Sequence, residues 1–531
     1  MKKISTLCLV ALTGLFALAC GSEPGSAEAE GASGADLSKV GVPVLPRPNL
    51  GVCPPAGPGA AQCQALIVTT PDGTAARTSS TPYGWSPAQL ASAYRIPAGS
   101  GGIVAIVDAY DNPNAEADLA VYRSYFGLPP CHSNGTTTTG CFTKVNQLGS
   151  TAVSTLPIAD QGWAPEIALD VDMASAGCPS CKILLVEANT NNWSDLGAAV
   201  NMAAAMGATV ISNSYAGAEN AGYASYDTLY YNHPGIAITA STGDSGSQAG
   251  ITPNYPAVSP HVIGVGGTSL TVDTSGRGWH ENAWTQAGAG CSQFEPKPSW
   301  QTEPGCSGRA IADVSAVADQ NTPVAVYDTY NGYPGWTAFG GTSVSSPLVA
   351  AIMAATGRGS NDASWFYAHP GVLYDVTSGC SGTVNSIFTC AGPGWDGPTG
   401  LGTLDGDAMA APPNCGFLTA GQYLSPGQSL YSCDGGHVLV QQTDGNVVLY
   451  NTAKPGGWVP TWSAAGAWGH GHFTSIGTDG NFVVYNAAWQ GIWQAGTWGH
   501  PGSLLSVQDD GNMVVYSPSW APLWASNTWN L

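Results

Sequence analysis

The chain has 531 residues, more than one ordinary domain contains, which indicates at least two folded units. Only 9% of the residues are Asp, Glu, Lys or Arg, and 35 acidic residues against 14 basic ones give a net charge of −21. Because this composition leaves no basic patch to neutralise phosphates, it argues against nucleic acid as a partner.

The first twenty residues are typical of an export signal. Lys2 and Lys3 precede an apolar run, Leu7 to Ala19, that is too short to span a bilayer. The small residues before Cys20 resemble a bacterial lipoprotein signal with Cys20 as the lipidated residue, and simple secretion stays open. We therefore expect residues 1–20 to be a signal peptide and the protein to be secreted, with outer-membrane attachment only through a lipid on Cys20.

Residues 21–81 are rich in Gly, Ala, Pro and Ser and predict a flexible leader. Twelve cysteines outside the signal fall into close neighbours, and an even set of short-range pairs in an exported chain indicates six local disulfides. The expected pairs are Cys53/Cys63, Cys131/Cys141, Cys178/Cys181, Cys291/Cys306, Cys380/Cys390 and Cys415/Cys433. The third pair could instead be a redox or zinc half-site.

From about Pro82, short β-branched runs alternate with Ala-rich amphipathic stretches. Examples are "GGIVAIVDAY", "CKILLVEA", "GATVISNSY" and "GIAITASTGDSG". Apolar strands followed by helices are typical of an α/β fold with a doubly wound parallel sheet, which we assign to residues 82–413.

Carboxylates and a serine stand out in this unit. Glu166 and Asp170 are four apart in an apolar helical stretch, so they share a helix face and one is expected to hold a proton at a raised pKa. Asp244 follows a strand, in the crevice where α/β folds bind ligands. Ser343 opens a buried helix in "GGTSVSSPLVAA". Structural alternatives stay open for each of them.

Three further residues of this unit are expected to have structural roles and not catalytic ones. Ser345 and Ser346 are expected to cap or line the start of the helix beside Pro347. Asp108 lies at a strand end, and we expect it to have a structural role.

Together, Glu166-xxx-Asp170, the segment "STGDSG" and the segment "GTSVSSP", in that order, resemble the sedolisin family of serine-carboxyl peptidases over residues 82–412. The resemblance implies a subtilisin-like fold and cleavage of peptide bonds in acid. It implies these roles: Ser343 as nucleophile, Glu166 as general base, Asp170 as the group that orients Glu166, and Asp244 in the oxyanion hole. The "NSY" segment at 213–215 resembles the one that pairs with substrate backbone.

The same resemblance implies a Ca²⁺ site late in the unit, in "LYDVTSG" and "AGPGWDGPTGLG". Two carboxylates and loop carbonyls would give the oxygen ligands that a hard cation prefers. The expected ligands are Asp375, Val376, Gly392, Gly394 and Asp396.

Residues 415–531 hold a threefold repeat, "QTDGNVVLYN", "GTDGNFVVYN" and "QDDGNMVVYS". Each Asp-Gly-Asn predicts a hairpin turn, and three copies predict an all-β threefold β-prism or barrel, of which we expect the β-prism. The repeat resembles the motif of bulb-type, mannose-binding lectins, which implies sugar binding in two copies. The implied residues are Gln442, Asp444, Asn446 and Tyr450 in the first copy and Gln508, Asp510, Asn512 and Tyr516 in the third. The middle copy has Gly477 in place of Gln and is expected to bind poorly.

The leading hypothesis is an exported, acid-active endopeptidase that acts on proteins or peptides and is carried to mannose-type glycans by its tail. An alternative is a carbohydrate-binding adhesin with an inactive peptidase-like unit. A third is a hydrolase with a Ser-His-Asp triad.

Overall fold

The computed structural model describes residues 48–529, so the predicted signal and Cys20 lie outside the described residues. The description omits residues 58, 79–80, 100, 134–139, 248–252, 304, 331–334, 383–385, 411–415, 434, 453, 455–456 and 519–520 within that range. No helix in the described part of the chain is long and apolar enough to cross a membrane.

The α-helices are α1 (Pro87–Ala93), α2 (Ala115–Tyr125), α3 (Trp163–Gly177), α4 (Trp193–Ala205), α5 (Ala224–Tyr226), α6 (Thr342–Ala355), α7 (Ala363–Ala368) and α8 (Gly406–Met409). The strands up to the end of α8 are β1 (Asn49–Gly51), β2 (Gln62–Cys63), β3 (Leu66–Val68), β4 (Arg77–Thr78), β5 (Ile103–Ala109), β6 (Phe142–Asn146), β7 (Lys182–Ala188), β8 (Val210–Asn213), β9 (Tyr215–Ala218), β10 (Ala237–Ser241), β11 (Asn254–Tyr255), β12 (Ile263–Val272), β13 (Trp279–Ala283), β14 (Cys291–Pro296), β15 (Gly308–Ala310), β16 (Val314–Val317), β17 (Val324–Asp328), β18 (Gly335–Gly340), β19 (Leu373–Tyr374) and β20 (Thr403–Leu404).

The centre of this part is a ten-stranded sheet in the order β19-β20-β16-β12-β10-β8-β5-β7-β6, with β13 paired along β12. The strands from β20 to β6 are parallel to their neighbours. Side chains of β5 alternate between the two faces of the sheet. Val104 and Ile106 join the core that contains α3 and α6, whereas Ala105 and Val107 join the core that contains α4. The predicted doubly wound α/β fold is confirmed.

The expectation of a flexible leader over residues 21–81 is wrong for the described part of that range. Strand β2 pairs with β9, and β3 and β4 both pair with β18. Backbone hydrogen bonds hold this segment against the α/β unit, and the Cys53–Cys63 disulfide closes a loop within the segment. Its composition hid the short β-type run "QALIV" at 64–68.

Five of the six predicted disulfides are confirmed. They are Cys53–Cys63, Cys131–Cys141, Cys178–Cys181, Cys291–Cys306 and Cys380–Cys390. The Cys178–Cys181 disulfide pairs the two sulfurs with each other, so neither is free to bind zinc. The predicted Cys415/Cys433 pair lies outside the described residues because Cys415 is not described.

The C-terminal strands are β21 (Phe417–Thr419), β22 (Tyr423–Leu424), β23 (Ser429–Tyr431), β24 (His437–Gln441), β25 (Val447–Asn451), β26 (Val459–Ser463), β27 (Phe473–Ile476), β28 (Phe482–Tyr485), β29 (Gly491–Gln494), β30 (Leu504–Val507), β31 (Met513–Tyr516) and β32 (Pro522–Ala525). They form three four-stranded antiparallel sheets: β21-β30-β31-β32, β22-β27-β28-β29 and β23-β24-β25-β26. One tryptophan of each sheet meets the other two, with ring centroids 5.2–5.8 Å apart between Trp462, Trp493 and Trp524. This threefold packing confirms the predicted β-prism.

Candidate active site

The predicted catalytic residues meet at the carboxyl ends of β5, β8 and β10. Asp108 is the penultimate residue of β5, Ser214 follows β8, and Asp244 comes soon after β10. Strand order reverses around β5 and β8, and such an edge is where doubly wound sheets bind ligands. Helices α3 and α6, which pack against each other, bring Glu166, Asp170 and Ser343 to the same place.

Ser343 lies in the first turn of α6 and is 0% exposed. Its hydroxyl donates a hydrogen bond to the Ser214 carbonyl over 3.2 Å. The preceding cap, Gly341, has φ 104°, a conformation that favours glycine. A Cβ there would lie 2.1 Å from the Gln64 carbonyl oxygen and 2.7 Å from Oδ2 of Asp244. Only glycine lets these groups approach the helix start so closely.

Ser345 and Ser346, the other two serines near the start of α6, form hydrogen bonds with groups other than the carboxyls. The Ser346 hydroxyl lies 3.0 Å from the Ser212 hydroxyl and 2.9 Å from the Thr239 hydroxyl, in the contact of α6 with the sheet. The Ser345 hydroxyl donates to the Thr342 carbonyl over 3.1 Å. Both residues lie inside α6 near its start, so they line the start of the helix, as one of the two expected roles has it, and neither caps it. Ser343 remains the serine that faces the carboxylates.

Glu166 and Asp170 lie on one face of α3, a helix whose residues are all buried. Neither carboxyl has a hydrogen bond of ordinary geometry, and the same holds for Asp108. Burial raises the pKa of Glu166 and of Asp170, and the neighbouring carboxyl of Asp108 raises both further. Burial also raises the pKa of Asp108, to about 8. Asp108 therefore belongs to the carboxyl cluster, which its predicted structural role did not anticipate.

Two hydrogen-bond donors affect the Glu166 carboxyl. The Ser343 hydroxyl and the Ala65 N–H each lower the pKa of Glu166, although less than burial and Asp108 raise it. At the same time the Ser214 hydroxyl lowers the pKa of Asp170. Ser343 therefore faces the Glu166 carboxyl while its hydrogen bond goes to Ser214.

Asp244 presents its two carboxyl oxygens differently. Oδ1 accepts hydrogen bonds from the Thr342 N–H and hydroxyl, both over 2.8 Å. Oδ2 is buried and has no partner among the described residues. Burial raises the pKa of Asp244 to about 7, against the lowering effect of the Thr342 hydrogen bonds. In acid Asp244 therefore carries a proton, and Oδ2 is the oxygen left to donate it.

Histidines of the α/β unit make other contacts. His233 bonds the Asn201 side chain, His280 the Asn282 side chain, and His369 the Trp365 carbonyl. Within the described ranges, no histidine is among the groups that interact with Ser343 or Glu166. This arrangement favours a carboxylate as the base.

Four of the five predicted cation-site residues are joined in pairs by hydrogen bonds: Asp375 with Gly394 and Asp396 with Gly392. Asp375 Oδ2 accepts from the Gly394 N–H over 3.0 Å, and Asp396 Oδ2 accepts from the Gly392 N–H over 3.1 Å. Burial raises the pKa of Asp396 to about 7, and the charge of Asp375 adds to that rise. Neither carboxylate forms an ion pair with a described basic residue. The oxygen-only donor set fits a hard cation.

The tail places its predicted sugar residues in the same way in the first and third repeats. The Gln442 amide donates to the Tyr450 hydroxyl over 2.6 Å, and the Gln508 amide to the Tyr516 hydroxyl over 3.0 Å. Asp444 and Asp510 are exposed at the hairpin turns, where one carboxylate oxygen of each accepts the N–H of the Asn two residues later. These Asn residues are Asn446, which is half-buried, and Asn512, which is buried.

Sequence reasoning missed one residue beside this site, Gln64, and gave two others, Ser214 and Asp108, less weight than their positions warrant. Gln64 carried no signal because its segment looked like a leader. The backbone carbonyl of Ser214 was implied only by the "NSY" segment. Asp108 could have been found from its place at a strand end beside the acidic helix.

Known proteins include relatives that match the α/β unit of this chain. The subtilase family model matches residues 137–366. Kumamolisin from Bacillus sp. (strain MN-32) is 30% identical over 367 residues, which cover 61% of this chain and 63% of that protein. Sedolisin from Pseudomonas sp. (strain 101) is 35% identical over 173 residues, 29% of each chain. The chain thus spans 63% and 29% of the lengths of these curated relatives.

Solved structures resemble both parts. Pseudomonas sedolisin, a serine-carboxyl proteinase complexed with two molecules of pseudo-iodotyrostatin, aligns with TM-score 0.52 and 26% identity over 62% of this chain and 97% of its own. The mannose-specific agglutinin of snowdrop (Galanthus nivalis) bulbs, complexed with methyl-α-D-mannoside, is 34% identical over 21% of this chain and 96% of its own, with TM-score 0.17.

Proposed function

We propose that this chain, whose α/β unit belongs to the sedolisin family of serine-carboxyl peptidases, hydrolyses peptide bonds as an acid-active endopeptidase. The observation that carries the proposal is the meeting of Ser343 with the buried carboxyls of Glu166, Asp170 and Asp108, away from any described histidine. A serine needs a base to become a nucleophile, and Glu166 is the acidic group that its hydroxyl faces.

The proposed roles are those that the resemblance implies, and the contacts of Ser343 and Asp244 support two of them. Glu166 in its ionised form accepts the Ser343 proton as the hydroxyl oxygen attacks the peptide carbonyl, and Asp170 orients Glu166. Asp244, protonated, donates from Oδ2 to the developing oxyanion, which an ionised aspartate would repel. Glu166 then returns the proton to the leaving amine, and water hydrolyses the acyl-enzyme.

The carboxyl cluster makes this chemistry compatible with acid. The charge of Asp108 raises the pKa of Glu166 and of Asp170, and the charge of Glu166 also raises that of Asp170, so the three carboxyls release protons in separate steps. One negative charge can reside on Glu166 while its neighbours stay protonated. We therefore expect activity to be greatest in acid and to fall once Asp244 loses its proton near pH 7.

The experiment is hydrolysis of a denatured protein between pH 3 and pH 8, with cut sites read by mass spectrometry. Ser343→Ala should lose the activity, and Glu166→Gln should lower kcat by about 10²- to 10⁴-fold because a neutral amide cannot accept the proton. His280→Ala, a replacement away from the site, is the control. Absence of hydrolysis by the wild-type protein would favour the adhesin, a Ser343→Ala protein that cuts as fast as wild type would contradict Ser343 as the nucleophile, and activity that rises toward pH 8 and needs a histidine would favour a Ser-His-Asp hydrolase.

We also propose that the protein is exported, which the signal-like residues 1–20 and the five disulfides support, because disulfides persist in oxidising compartments. A lipid on Cys20 is the finer form of this proposal. Mass spectrometry of the mature N-terminal peptide distinguishes the lipidated from the freely secreted protein.

Ca²⁺ is proposed for the loop of Asp375 and Asp396, with carbonyls of Val376, Gly392 and Gly394 as further ligands. The two carboxylates face the same turn, and no described basic residue forms an ion pair with them. A bound divalent cation would supply the positive charge that balances theirs. The residues would hold the loop that the Cys380–Cys390 disulfide already closes.

Mannose-type glycans are proposed as ligands of the tail, at the paired Gln and Tyr of the first and third repeats. Gln442→Ala and Gln508→Ala together should abolish binding to mannan measured by calorimetry, and each alone should weaken it because two weak sites act by avidity. Asp479→Asn in the middle repeat, which lacks Gln, is the matched control. Full binding by the double variant would contradict the proposed sites.

A further inference from the structure

The exposed tryptophans of the described chain all lie in its C-terminal part, and one of them belongs to a group of packed rings. Trp489, which is 70% exposed, lies against Phe473 with 4.0 Å between the ring centroids. A single exposed apolar side chain is ordinary, whereas a group of them marks a binding surface. The exposed tryptophans are Trp458, Trp468, Trp489, Trp498 and Trp529.

The middle repeat carries four aromatic rings on one face of its sheet. Phe473 stacks on Tyr485, with centroids 4.9 Å apart and 15° between the ring planes, and Trp489 contacts Phe473 from the turn after β28. Tyr423 of β22 meets Phe473 edge-on at 6.1 Å. We call these four residues the middle aromatic surface. Phe473 is buried, whereas Trp489 and Tyr423 are 70% and 56% exposed, so two rings open to solvent rest on a packed base.

The turn that carries Trp489 is fixed by hydrogen bonds of its own. Trp489 has φ 61°, a left-handed conformation that is rare for a bulky side chain. Oδ1 of Asn486 accepts the N–H groups of Ala488 and Gln490, both over 3.0 Å, and Nδ2 of Asn486 donates to Oε1 of Gln490 over 3.0 Å. Backbone held in this way against its preference is most frequent at ligand-binding and catalytic sites. The exposed ring of Trp489 is therefore held in place before any ligand arrives.

Two differences from the other repeats coincide in the middle repeat. Opposite the tyrosine of each repeat, the middle sheet has Phe473, whereas the first and third sheets have Val438 and Leu504. Where those two repeats have Gln, the middle one has Gly477, and a Cβ there would lie 2.4 Å from Oδ1 of Asp479. The Asp479 carboxylate therefore occupies room that a glutamine side chain would need. Loss of the Gln and gain of the rings in one copy indicate a different ligand for that copy.

The chemistry of the middle aromatic surface favours a neutral ligand with a flat apolar face. Lys454 is the only Lys or Arg from residue 416 onward. Burial raises the pKa of Tyr485, and the charge of the nearby Asp479 raises it further, so an anionic ligand would be repelled. In β-linked glucose units every ring substituent is equatorial, so C–H groups cover both faces of the sugar and can lie on the negative face of an aromatic ring. The exposed amide of Gln490, next to Trp489, can bond the hydroxyls at the edge of such a sugar.

We propose that the middle aromatic surface binds neutral polysaccharides of β-linked glucose, with a sugar ring stacked on Trp489. Trp489 and Tyr423 both contact Phe473, so a linear chain can meet both exposed rings. The site is separate from the mannose sites proposed for the first and third repeats, and the inference does not depend on the proposed peptidase activity. A protein with both kinds of site would bind two chemically different polysaccharides through one tail.

The test is calorimetry at pH 7 with cellohexaose and, in parallel, with mannan, on the full chain carrying Ser343→Ala so that it cannot digest itself. This parent protein should bind cellohexaose. Adding Trp489→Gly, which suits the left-handed backbone and removes the ring, should weaken cellohexaose binding by at least about tenfold and leave mannan binding unchanged. Adding Gln442→Ala and Gln508→Ala should leave cellohexaose binding unchanged. A parent protein that does not bind cellohexaose, or the same loss of cellohexaose binding in the glutamine variant, would overturn the inference.

Two further variants separate this site from general attraction to exposed rings. Trp468→Ala removes a tryptophan that is 73% exposed and lies outside the middle aromatic surface, so it is the matched control and should bind cellohexaose normally. Phe473→Val gives the middle sheet the residue of the first sheet and should weaken cellohexaose binding, because the base under Trp489 is lost. Equal weakening by Trp468→Ala would count against the inference. So would dimers of the parent protein in sedimentation that Trp489→Gly abolishes, because a second copy of the chain would then cover the surface.

Discussion

At the scale of single residues, Asp244 shows how one side chain is divided between structure and chemistry. Thr342 fixes Oδ1 with two hydrogen bonds, so the oxygen aimed at the Gln64 carbonyl region is Oδ2. The fixed atom accepts hydrogen bonds and therefore stays without a proton, which leaves the proton to the other oxygen. Burial raises the pKa of Asp244 to about 7, so the carboxyl keeps this proton in acid.

This division predicts opposite results for two replacements. In Asp244→Asn the oxygen should take the Oδ1 position under Thr342, so the amide N–H would donate where Oδ2 does. We expect Asp244→Asn to retain much of kcat and to lose less activity than wild type between pH 5 and about pH 8. Asp244→Ala should lower kcat by about 10²- to 10³-fold. The measurement is the pH dependence of kcat for the three proteins on one peptide, and equal losses in both variants would contradict this role.

At the scale of elements, helix α3 could be largely anticipated from its sequence. Its apolar composition and the four-residue spacing of Glu166 and Asp170 predicted a buried helix with both acids on one face, and the burial is as expected. The partners on neighbouring strands could not be anticipated, because they depend on strand order. Asp108 joins the cluster because α3, which carries Glu166 and Asp170, packs against β5, and that contact depends on how the helix crosses the sheet.

The loop of Asp375 and Asp396 is an element whose proposed cation can be removed. Two carboxylates that face one turn without a basic partner repel each other, so loss of the cation should destabilise the loop. At a cation concentration 100 times its Kd, binding would stabilise the fold by about 2.7 kcal/mol. We expect EGTA to lower the Tm of Ser343→Ala protein by several degrees, Ca²⁺ to restore it, and Asp396→Asn to remove the response. An unchanged Tm would contradict the site.

At the scale of the whole molecule, the two-part architecture could be predicted from composition and repeats. The pairing of residues 62–68 with β9 and β18 could not. The Asp-Gly-Asn repeats fixed the register of three hairpins, because side-chain alternation after each turn has one buried face. Residues 62–68 gave no such pattern. Two-residue strands such as β2 are specified by partners distant in sequence, and those partners become visible only once β9 and β18 are placed.

Buried carboxyls give the whole fold a pH dependence that is opposite to the usual one for acidic residues. Burial raises the pKa of Asp108, Asp170, Asp172 and Asp244, which stay protonated in acid, while the proposed mechanism puts the one negative charge of the cluster on Glu166. The folded chain therefore binds these protons more tightly than the unfolded chain, whose carboxyls titrate near pH 4, and unfolding releases protons as pH rises. Stability from these groups is fully present below about pH 4 and is lost as pH rises through about 7 to 8.

We accordingly expect the Tm of the Ser343→Ala protein, chosen to prevent self-digestion, to be lower at pH 8 than at pH 4 when measured by calorimetry with EGTA present. Adding Asp108→Asn should reduce this difference, because the amide cannot ionise and also relieves Glu166 and Asp170 of a charge. Asp273→Asn is the control, since that carboxyl is exposed and its pKa is lowered, chiefly by the Ser275 hydroxyl. A Tm that rises from pH 4 to pH 8 would mean that the cluster is ionised in the folded protein, and the protonated Asp244 on which the proposed mechanism depends would lose its physical basis.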